Sequence, residues 1–201
     1  MANYYNRIQL RGTVVAEPTF SHESYDQKYY IFPLSVQRQS GQADVVNIHV
    51  TEQQIAELLP MNGKRYDLEG HVCSYNNGGE TWPKVIIFVG ATSIEPTEEP
   101  EDINSVILSG KLSRDPNARY TPLGKYICDV SLQIKRPHGK SDYLPCISWG
   151  NFAGSISKLR SQDPLAFEGR LQSRIYSKNV DGVVTERIAY EVSIMRPCRL
   201  C

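Results

Sequence analysis

The sequence has no long apolar run, no recognisable leader and no disulfide framework. Its longest uninterrupted apolar stretch covers residues 85–89, far short of the roughly 20 residues that span a membrane. The first residues are polar and lack an apolar core segment, which predicts that no signal peptide is present. The five cysteines are odd in number and scattered, a pattern that fits reduced thiols. We therefore expect a cytoplasmic protein without membrane contact.

Motifs that carry catalysis or bind metal are also missing. There is no nucleophile–base pair in a recognisable setting, no phosphate-cradling glycine loop and no HExxH helix. Cys198 and Cys201 have the spacing of a metal-binding pair, but a closed zinc site needs about four ligands and no second pair exists. The four histidines show no ligand spacing with these cysteines. We predict a protein that is not an enzyme and takes no cofactor or metal.

The net charge of zero hides two halves of opposite sign. Residues 1–98 hold 7 Lys and Arg against 11 Asp and Glu, whereas residues 103–201 hold 15 against 8. The first half is therefore acidic by four charges and the second basic by seven. A half-chain of this basicity predicts a polyanionic partner such as nucleic acid, although basic faces are often simply solvated.

Self-comparison indicates a tandem duplication. Residues recur 98 positions later, namely Asn6, Leu10, Gly12 and Pro18 as Asn104, Leu108, Gly110 and Pro116. We further match Asp44 to Asp142, Glu69-Gly70 to Glu168-Gly169, and Leu34 to Val130. Residues 95–102 contain two prolines, five acids and no apolar side chain, which predicts an extended acidic linker. The expected domains are residues 1–94, this linker at 95–102, and residues 103–201.

Each unit is predicted to contain five strands, with one short helix between strands 3 and 4. In the second unit, Cys128, Val130, Leu132 and Ile134 alternate with polar residues in strand 2. Helical spacing of Phe152, Ile156 and Leu159 follows strand 3, after a possible Asn151 cap. In the first unit, residues 51–54 form a capping box. This order favours an all-β chain of two tandem five-stranded OB barrels, although other small barrels share it.

Strand 3 of the second unit reads Asp142-Tyr-Leu-Pro-Cys-Ile-Ser-Trp149. Tyr143, Ile147 and Trp149 fall on one side, and Leu144 and Cys146 on the other. Such a strand either lies between packed layers or displays a surface for stacking. Its alternation alone does not choose between them.

Several segments of the second unit resemble the bacterial single-stranded DNA-binding protein family. They are Asn104 to Pro116, Arg119 to Gly124, Ser148-Trp-Gly150 and Phe167 to Arg174, in the family's order. The resemblance implies OB barrels that work in fours and bind single strands with little sequence preference. It places stacking aromatics at Tyr143, Trp149 and Tyr176, and two chains of two barrels would give a homodimer.

Basic residues of the second unit are the expected phosphate contacts. They are Arg114, Arg119, Lys135, Arg136, Lys140, Arg170, Arg174 and Lys178. A family aromatic after strand 2 has no counterpart here, and residues 135–140 offer positive charge instead.

The first unit departs from the family pattern. Val45 stands where Tyr143 is expected and Thr51 where Trp149 is expected, so we expect weak DNA binding, or a role in assembly or with a protein partner. The sequence also stops after the last strand, without the acidic tail by which family members recruit partners. The prediction is a nucleoid-associated single-stranded DNA-binding protein of replication, recombination or repair. The alternative is a primosome- or recombination-type adaptor that mainly contacts replication or recombination proteins.

Overall fold

The computed structural model describes residues 5–76, 85–136, 139–180 and 183–198, and only the backbone of residues 176–180, 183–185 and 187. In this part of the chain no helix has the length and apolarity to cross a membrane. The described residues form twelve strands and two short helices, which are β1 (Asn6–Val14), β2 (Thr19–Ser24), β3 (Gln27–Gln37), β4 (Ala43–Thr51), α1 (Glu52–Ile55), β5 (Arg65–Asn76), β6 (Val85–Pro96), β7 (Ile103–Leu112), β8 (Asn117–Tyr120), β9 (Tyr126–Lys135), β10 (Ser141–Trp149), α2 (Gly150–Ile156), β11 (Pro164–Val180) and β12 (Val183–Pro197).

The strands close into two barrels of the same topology. In the first barrel, β1 pairs with β3, β3 with β4, β4 with β6, β6 with β5, and β5 again with β1. The second barrel repeats this circuit with β7, β9, β10, β12 and β11. In each barrel one pairing is parallel, β4 with β6 and β10 with β12, and the others are antiparallel. Two tandem five-stranded OB barrels are therefore confirmed.

Alternating side chains build the barrel interiors. On β1, Ile8, Leu10 and Val14 are buried, whereas Gln9 and Arg11 between them point outward. In each barrel a glycine lets the first strand pass close to the second barrel strand, which is β3 or β9. A Cβ on Gly12 would lie 2.2 Å from the Ser35 carbonyl oxygen, and one on Gly110 would lie 2.3 Å from that of Gln133. The glycines that marked the duplication therefore sit where β1 and β7 cross to their second partners.

The two barrels share one continuous sheet. Strand β1 pairs antiparallel with β7, and Ile8 lies directly opposite Val106. These two residues are 98 positions apart, so they are equivalents in the duplication. The pairing is consequently symmetric about this point, where Asn6 lies opposite Leu108 and Leu10 opposite Asn104.

The structure corrects three details of the prediction. Each barrel carries one more short strand, β2 or β8, which extends its second barrel strand as a hairpin. Helix α2 begins at Gly150, so Asn151 lies inside it, and Trp149 occupies the N-cap without a side-chain hydrogen bond. The match of Leu34 to Val130 is wrong by two residues, because Leu34 pairs with Val46 in β3 and β4 just as Leu132 pairs with Leu144 in β9 and β10.

The sequence also predicts where a helix begins, where a strand ends and where two hairpins turn. The capping box at Thr51 and Gln54 is confirmed, since each side chain bonds the other's backbone N–H. The sequence predicts a fourth strand of the second unit over Leu165–Tyr176, but β11 extends to Val180, which pairs with Val183. The sequence also predicts hairpin turns at Asp181-Gly182 and at residues 76–79, and all of these residues except Asn76 lie outside the described ones.

The acidic segment between the barrels lies against the first barrel. Strand β6 runs to Pro96, and beyond it the Arg65 guanidinium donates to the carbonyl oxygens of Glu99 and Pro100. Arg65 also pairs with the Asp102 carboxylate at 2.6 Å. We propose the division into residues 1–94, 95–102 and 103–201, with Arg65 as the residue that holds the connecting segment.

Candidate nucleic-acid interface

The outward face of β10 displays two large aromatic side chains. Leu144 and Cys146 point into the barrel and are buried, whereas Tyr143 is 46% exposed and Trp149 is 40% exposed. Ile147 lies on the same side of the strand but is buried. The strand therefore presents a ring near each end, roughly 20 Å apart at about 3.3 Å per residue. That spacing leaves room for several nucleotides.

Hydrogen bonds hold Tyr143 in place. Its hydroxyl accepts a hydrogen bond from the Gln133 side-chain amide at 3.1 Å, across the β9–β10 pairing. Its backbone N–H donates to the Ser74 hydroxyl at 2.8 Å, and Ser74 belongs to β5 of the first barrel. The position of this ring on the second barrel thus depends on a contact with the first.

Trp149 stands at the junction of β10 and α2. Its backbone pairs with Ile127, and it is also the N-cap residue of α2. Phe152, three residues later, shares a helical spacing with Ile156 but is 39% exposed. The helix is short and buries Ala153 and Ile156 instead, so Phe152 remains on the surface. Sequence reasoning missed this third exposed ring of the region.

Two of the predicted cations lie close together. Arg114 and Arg174 are exposed and line the same two adjoining cavities, together with Pro145 and Glu191. Arg174 lies 3.6 Å from the Glu191 carboxylate, which also accepts a hydrogen bond from Gln172. Guanidinium groups with this exposure can exchange a carboxylate for a phosphate at little cost.

The other described cations are placed differently. Arg119 is exposed and pairs with Asp129 at 2.8 Å. Lys135 and Lys140 are exposed on either side of the loop between β9 and β10. Arg170 is half-buried, and its Nε has no hydrogen-bond partner among the described residues.

Arg136 differs from these cations because hydrogen bonds within the protein engage its guanidinium. Its guanidinium donates to both carboxylate oxygens of Asp142 and, at 2.9 Å, to the backbone carbonyl of Ser74 in the first barrel. The Asp142 side chain is 1% exposed, and this hydrogen bonding raises the pKa of Arg136. A guanidinium held in this way bridges the barrels, which we could not foresee because nothing in the sequence places Arg136 beside Ser74.

Two predicted residues fall where only the backbone is described. Tyr176 pairs with Arg187 and Lys178 with Thr185 on the β11–β12 hairpin. Their side chains lie outside the described residues. Their assignment to the interface stays a prediction.

A cleft of about 980 Å³ separates the barrels beside Tyr143. The second barrel contributes Tyr143, Pro145, Arg114, Arg174 and residues 188–191 to its lining. The first barrel contributes Asn47 and residues 85–87. Residues 85–87 and 188–190 are equivalents, because Ile87 pairs with Ser74 just as Tyr190 pairs with Ser173.

The first barrel carries its aromatic side chains elsewhere on its outer face. The His22 and Tyr29 rings stack with their centroids 4.8 Å apart, and the His49 and Phe88 rings stack at 4.1 Å. Burial, and the nearby His22, lower the pKa of His49 to about 4. The strand register confirms that Val45 and Thr51 occupy the places of Tyr143 and Trp149. This barrel therefore lacks the aromatic pair of the second.

The described cysteines are free thiols. Cys128 and Cys146 are buried, Cys73 and Cys198 are partly buried, and burial raises the pKa of each, that of Cys73 to about 11. Within residues 5–76, 85–136, 139–180 and 183–198, no cluster of three His, Cys, Asp or Glu side chains could hold a metal ion. Cys201 lies outside these ranges, so its spacing with Cys198 is not tested.

Known proteins resemble the chain in both sequence and fold. The profile of the single-strand binding protein family matches residues 103–196. A "Single-stranded DNA-binding protein" of Halalkalibacterium halodurans is 33% identical over 104 residues, which cover 47% of this chain and 62% of that protein. "Single-stranded DNA-binding protein A" of Bacillus subtilis is 32% identical over 105 residues, 47% of this chain and 60% of that protein. The alignments thus span about three-fifths of these relatives.

The structural likeness extends over both barrels. The crystal structure of wild-type single-stranded DNA binding protein from Thermus aquaticus superposes with a TM-score of 0.79 and 25% sequence identity. That superposition covers 100% of this chain and 95% of the Thermus chain. The second barrel, residues 103–196, thus matches the profile of the single-strand binding protein family, and the fold of the whole chain matches that of the Thermus protein.

Proposed function

We propose that the protein binds single-stranded DNA with little sequence preference, chiefly on its second barrel. The observation that carries the proposal is the pair of exposed rings, Tyr143 and Trp149, on the outward face of β10. Bases stack on such rings whatever their identity, with about 1–3 kcal/mol per base. The names of the matched relatives support the same activity.

The phosphate path is proposed to follow the basic side chains around this face. Arg114 and Arg174 line the same cleft as Tyr143, and Arg119, Lys135 and Lys140 are exposed on the same barrel. We retain Arg170, Tyr176 and Lys178 as predicted contacts. We remove Arg136 from the path, because Asp142 and Ser74 engage its guanidinium.

Substitution of the two rings tests this proposal. Tyr143→Ala combined with Trp149→Ala should weaken binding of oligo-dT by about 2–6 kcal/mol, the sum of two stacking contacts. The matched control replaces Phe20 and Tyr25, exposed aromatic residues of the first barrel, by alanine. An unchanged affinity in a folded Tyr143/Trp149 double mutant would contradict the site.

Salt dependence tests the phosphate path separately. Each phosphate contact releases condensed cations, so the affinity should fall steeply as salt is raised, with a logarithmic slope of about −0.7 per contact on a single strand. Arg114→Ala and Arg174→Ala should each make this slope shallower by about one contact. A flat response of the unmodified protein would contradict a phosphate path.

We propose that two chains associate to supply four barrels. The β1–β7 pairing joins two barrels within one chain, and the family resemblance implies assemblies of four. Sedimentation at micromolar concentration should give the mass of a dimer. A stable monomer would overturn this part of the proposal.

The cellular role follows from the binding proposal. We propose that the protein serves DNA replication, recombination or repair, in the cytoplasm and at the nucleoid, and that it acts by binding without catalysis. The alternative, an adaptor of the primosome or recombination type, rests on the acidic balance of the first unit and is not favoured by the names of the matched relatives. Affinity for oligo-dT weaker than about 10 μM, the weak non-specific range, would favour the adaptor.

A further inference from the structure

We propose that the cleft between the barrels is a nucleotide subsite, so that the first barrel forms part of the binding surface of the second. The proposal rests on the proposed function and names the segment of DNA that the cleft takes. The occupant is one or two nucleotides of a bound single strand, entering beside Tyr143.

The shape and chemistry of the cleft fit a base and its phosphate. Tyr143 contributes a half-exposed ring to the lining, while residues 85–87 and 188–190 supply apolar walls. Asn47 adds an amide that can both donate and accept hydrogen bonds. A space of about 980 Å³ accommodates such a unit with its sugar.

Charge selects a polyanion over an apolar partner. Arg114 and Arg174 line the cleft against a single carboxylate, Glu191, which already interacts with Arg174 and Gln172. Both arginines belong to the second barrel, and the lining residues from the first barrel are all uncharged. A strand held there therefore places its phosphates toward the second barrel and its bases toward Asn47 and residues 85–87.

Continuity with the rest of the interface supports the same occupant. Arg114, Pro145, Arg174 and Glu191 also line an adjoining cavity of about 490 Å³, which extends to Asn117 and Arg119 on β8. The two cavities thus form one groove from the first barrel to the outer hairpin of the second. Asp115 and Asp129 line this second cavity as well, and Arg119 already pairs with Asp129. A strand that contacts Arg119 and then Arg114 therefore reaches the cleft without leaving the surface.

The test compares the same substitution at two exposed valines of the first barrel. Val85 lines the cleft and is 40% exposed, whereas Val15 lies outside its lining and is 47% exposed. In the full chain, Val85→Asp should weaken binding of oligo-dT about tenfold, because a carboxylate then faces the strand where a base contact is lost. Val15→Asp should leave the affinity within about twofold, since it adds the same charge elsewhere.

Two further variants separate apolar contact from charge. Val85→Ser and Asn47→Ala add no charge, and each should still lower the affinity measurably while Val15→Ser does not. Equal affinities of Val85→Asp and Val15→Asp would overturn the subsite. If Val85→Asp instead changes the sedimentation of the DNA-free protein, a second copy of the chain occupies the cleft and the inference is also overturned.

The unmodified protein and Trp149→Ala separate this inference from the proposed function. If the unmodified protein binds oligo-dT, Trp149→Ala weakens it and Val85→Asp does not, the subsite alone fails. If the unmodified protein does not bind oligo-dT, the proposed function fails and the subsite fails with it.

Discussion

The carboxylate of Asp142 in the second barrel accepts a hydrogen bond from the backbone N–H of Ser74 in the first, at 2.5 Å. The duplication repeats the contact in the opposite direction, where the Asp44 carboxylate accepts the N–H of Ser173 at 2.7 Å. Each aspartate is also held by an arginine of its own barrel, Arg136 or Arg38. We call each aspartate, with its arginine and the serine N–H of the other barrel, a clasp. Two equivalent clasps therefore join the barrels on either side of the β1–β7 pairing.

Removing one clasp should destabilise the whole chain. Asp142→Ala leaves the buried Ser74 N–H and the partly exposed Arg136 without their acceptor, so the free energy of unfolding should fall by about 1–3 kcal/mol. Chemical denaturation followed by circular dichroism measures this change. Because Tyr143 adjoins the clasp, the same variant should also bind oligo-dT more weakly.

An exposed ion pair supplies the control. The Arg7–Glu69 pair lies on the surface of the first barrel with about half of each side chain exposed, 52% and 42%. Glu69→Ala should therefore change the free energy of unfolding by less than about 1 kcal/mol. Equal losses for Asp142→Ala and Glu69→Ala would contradict the structural importance of the clasp.

Glycine is required at the strand crossing but not in the helix. A Cβ on Gly110 would lie 2.3 Å from the Gln133 carbonyl oxygen, so Gly110→Ala must separate β7 from β9 and should cost about 1–3 kcal/mol or more. Gly154 lies in α2 with open space around its Cβ position. Gly154→Ala should stabilise the protein by about 0.5–1 kcal/mol, since alanine favours the helix. Thermal unfolding of the two variants should move in opposite directions.

A paired side-chain amide should matter in both barrels. The Asn104 side chain donates to the Leu171 carbonyl at 2.7 Å and accepts from its N–H at 2.9 Å, and Asn6 makes the same two bonds to Val72. Asn104→Ala and Asn6→Ala should each cost about 1–3 kcal/mol, because buried backbone groups lose their partners. Asn104→Asp should destabilise the protein less than Asn104→Ala, since a carboxylate can still accept the Leu171 N–H but cannot donate a hydrogen bond to the Leu171 carbonyl.

Acid should weaken the first barrel through His49. Its pKa is lowered from 6.5 to about 4 by burial, so between these values the unfolded chain binds more protons than the folded chain. The free energy of unfolding should therefore decrease as pH falls from about 6.5 to 4, on the order of 1 kcal/mol for a partly exposed ring. His49→Gln should reduce this pH dependence, whereas His71→Gln, at an exposed histidine, should retain it. Identical pH profiles for the unmodified protein and His49→Gln would contradict the burial of a neutral imidazole.

The features of the fold that arise within one unit were predictable from sequence. Alternation on β9 and β10 identified the core side chains, and the repeats of Gly12 and Pro18 revealed the two barrels. Contacts between units were not predictable, because residues such as Ser74 and Asp142 carry no signal of their proximity. The cleft was missed for the same reason, since its first wall comes from residues 85–87 and its second from β10 and β12. The exposure of Phe152 was not predictable either, because a helical period does not indicate that α2 is only two turns long.

The β1–β7 pairing, centred on Ile8 and Val106, allows the sequences of the two barrels to differ. If two identical subunits paired in this way, every substitution near the symmetry axis would appear in both subunits. Here the two sides are separate positions of one polypeptide, and each can change without the other. One side can therefore accumulate seven net positive charges while the other accumulates four net negative ones. The chain combines the geometry of a symmetric pair with the chemical asymmetry of two different proteins, always in a ratio of one to one.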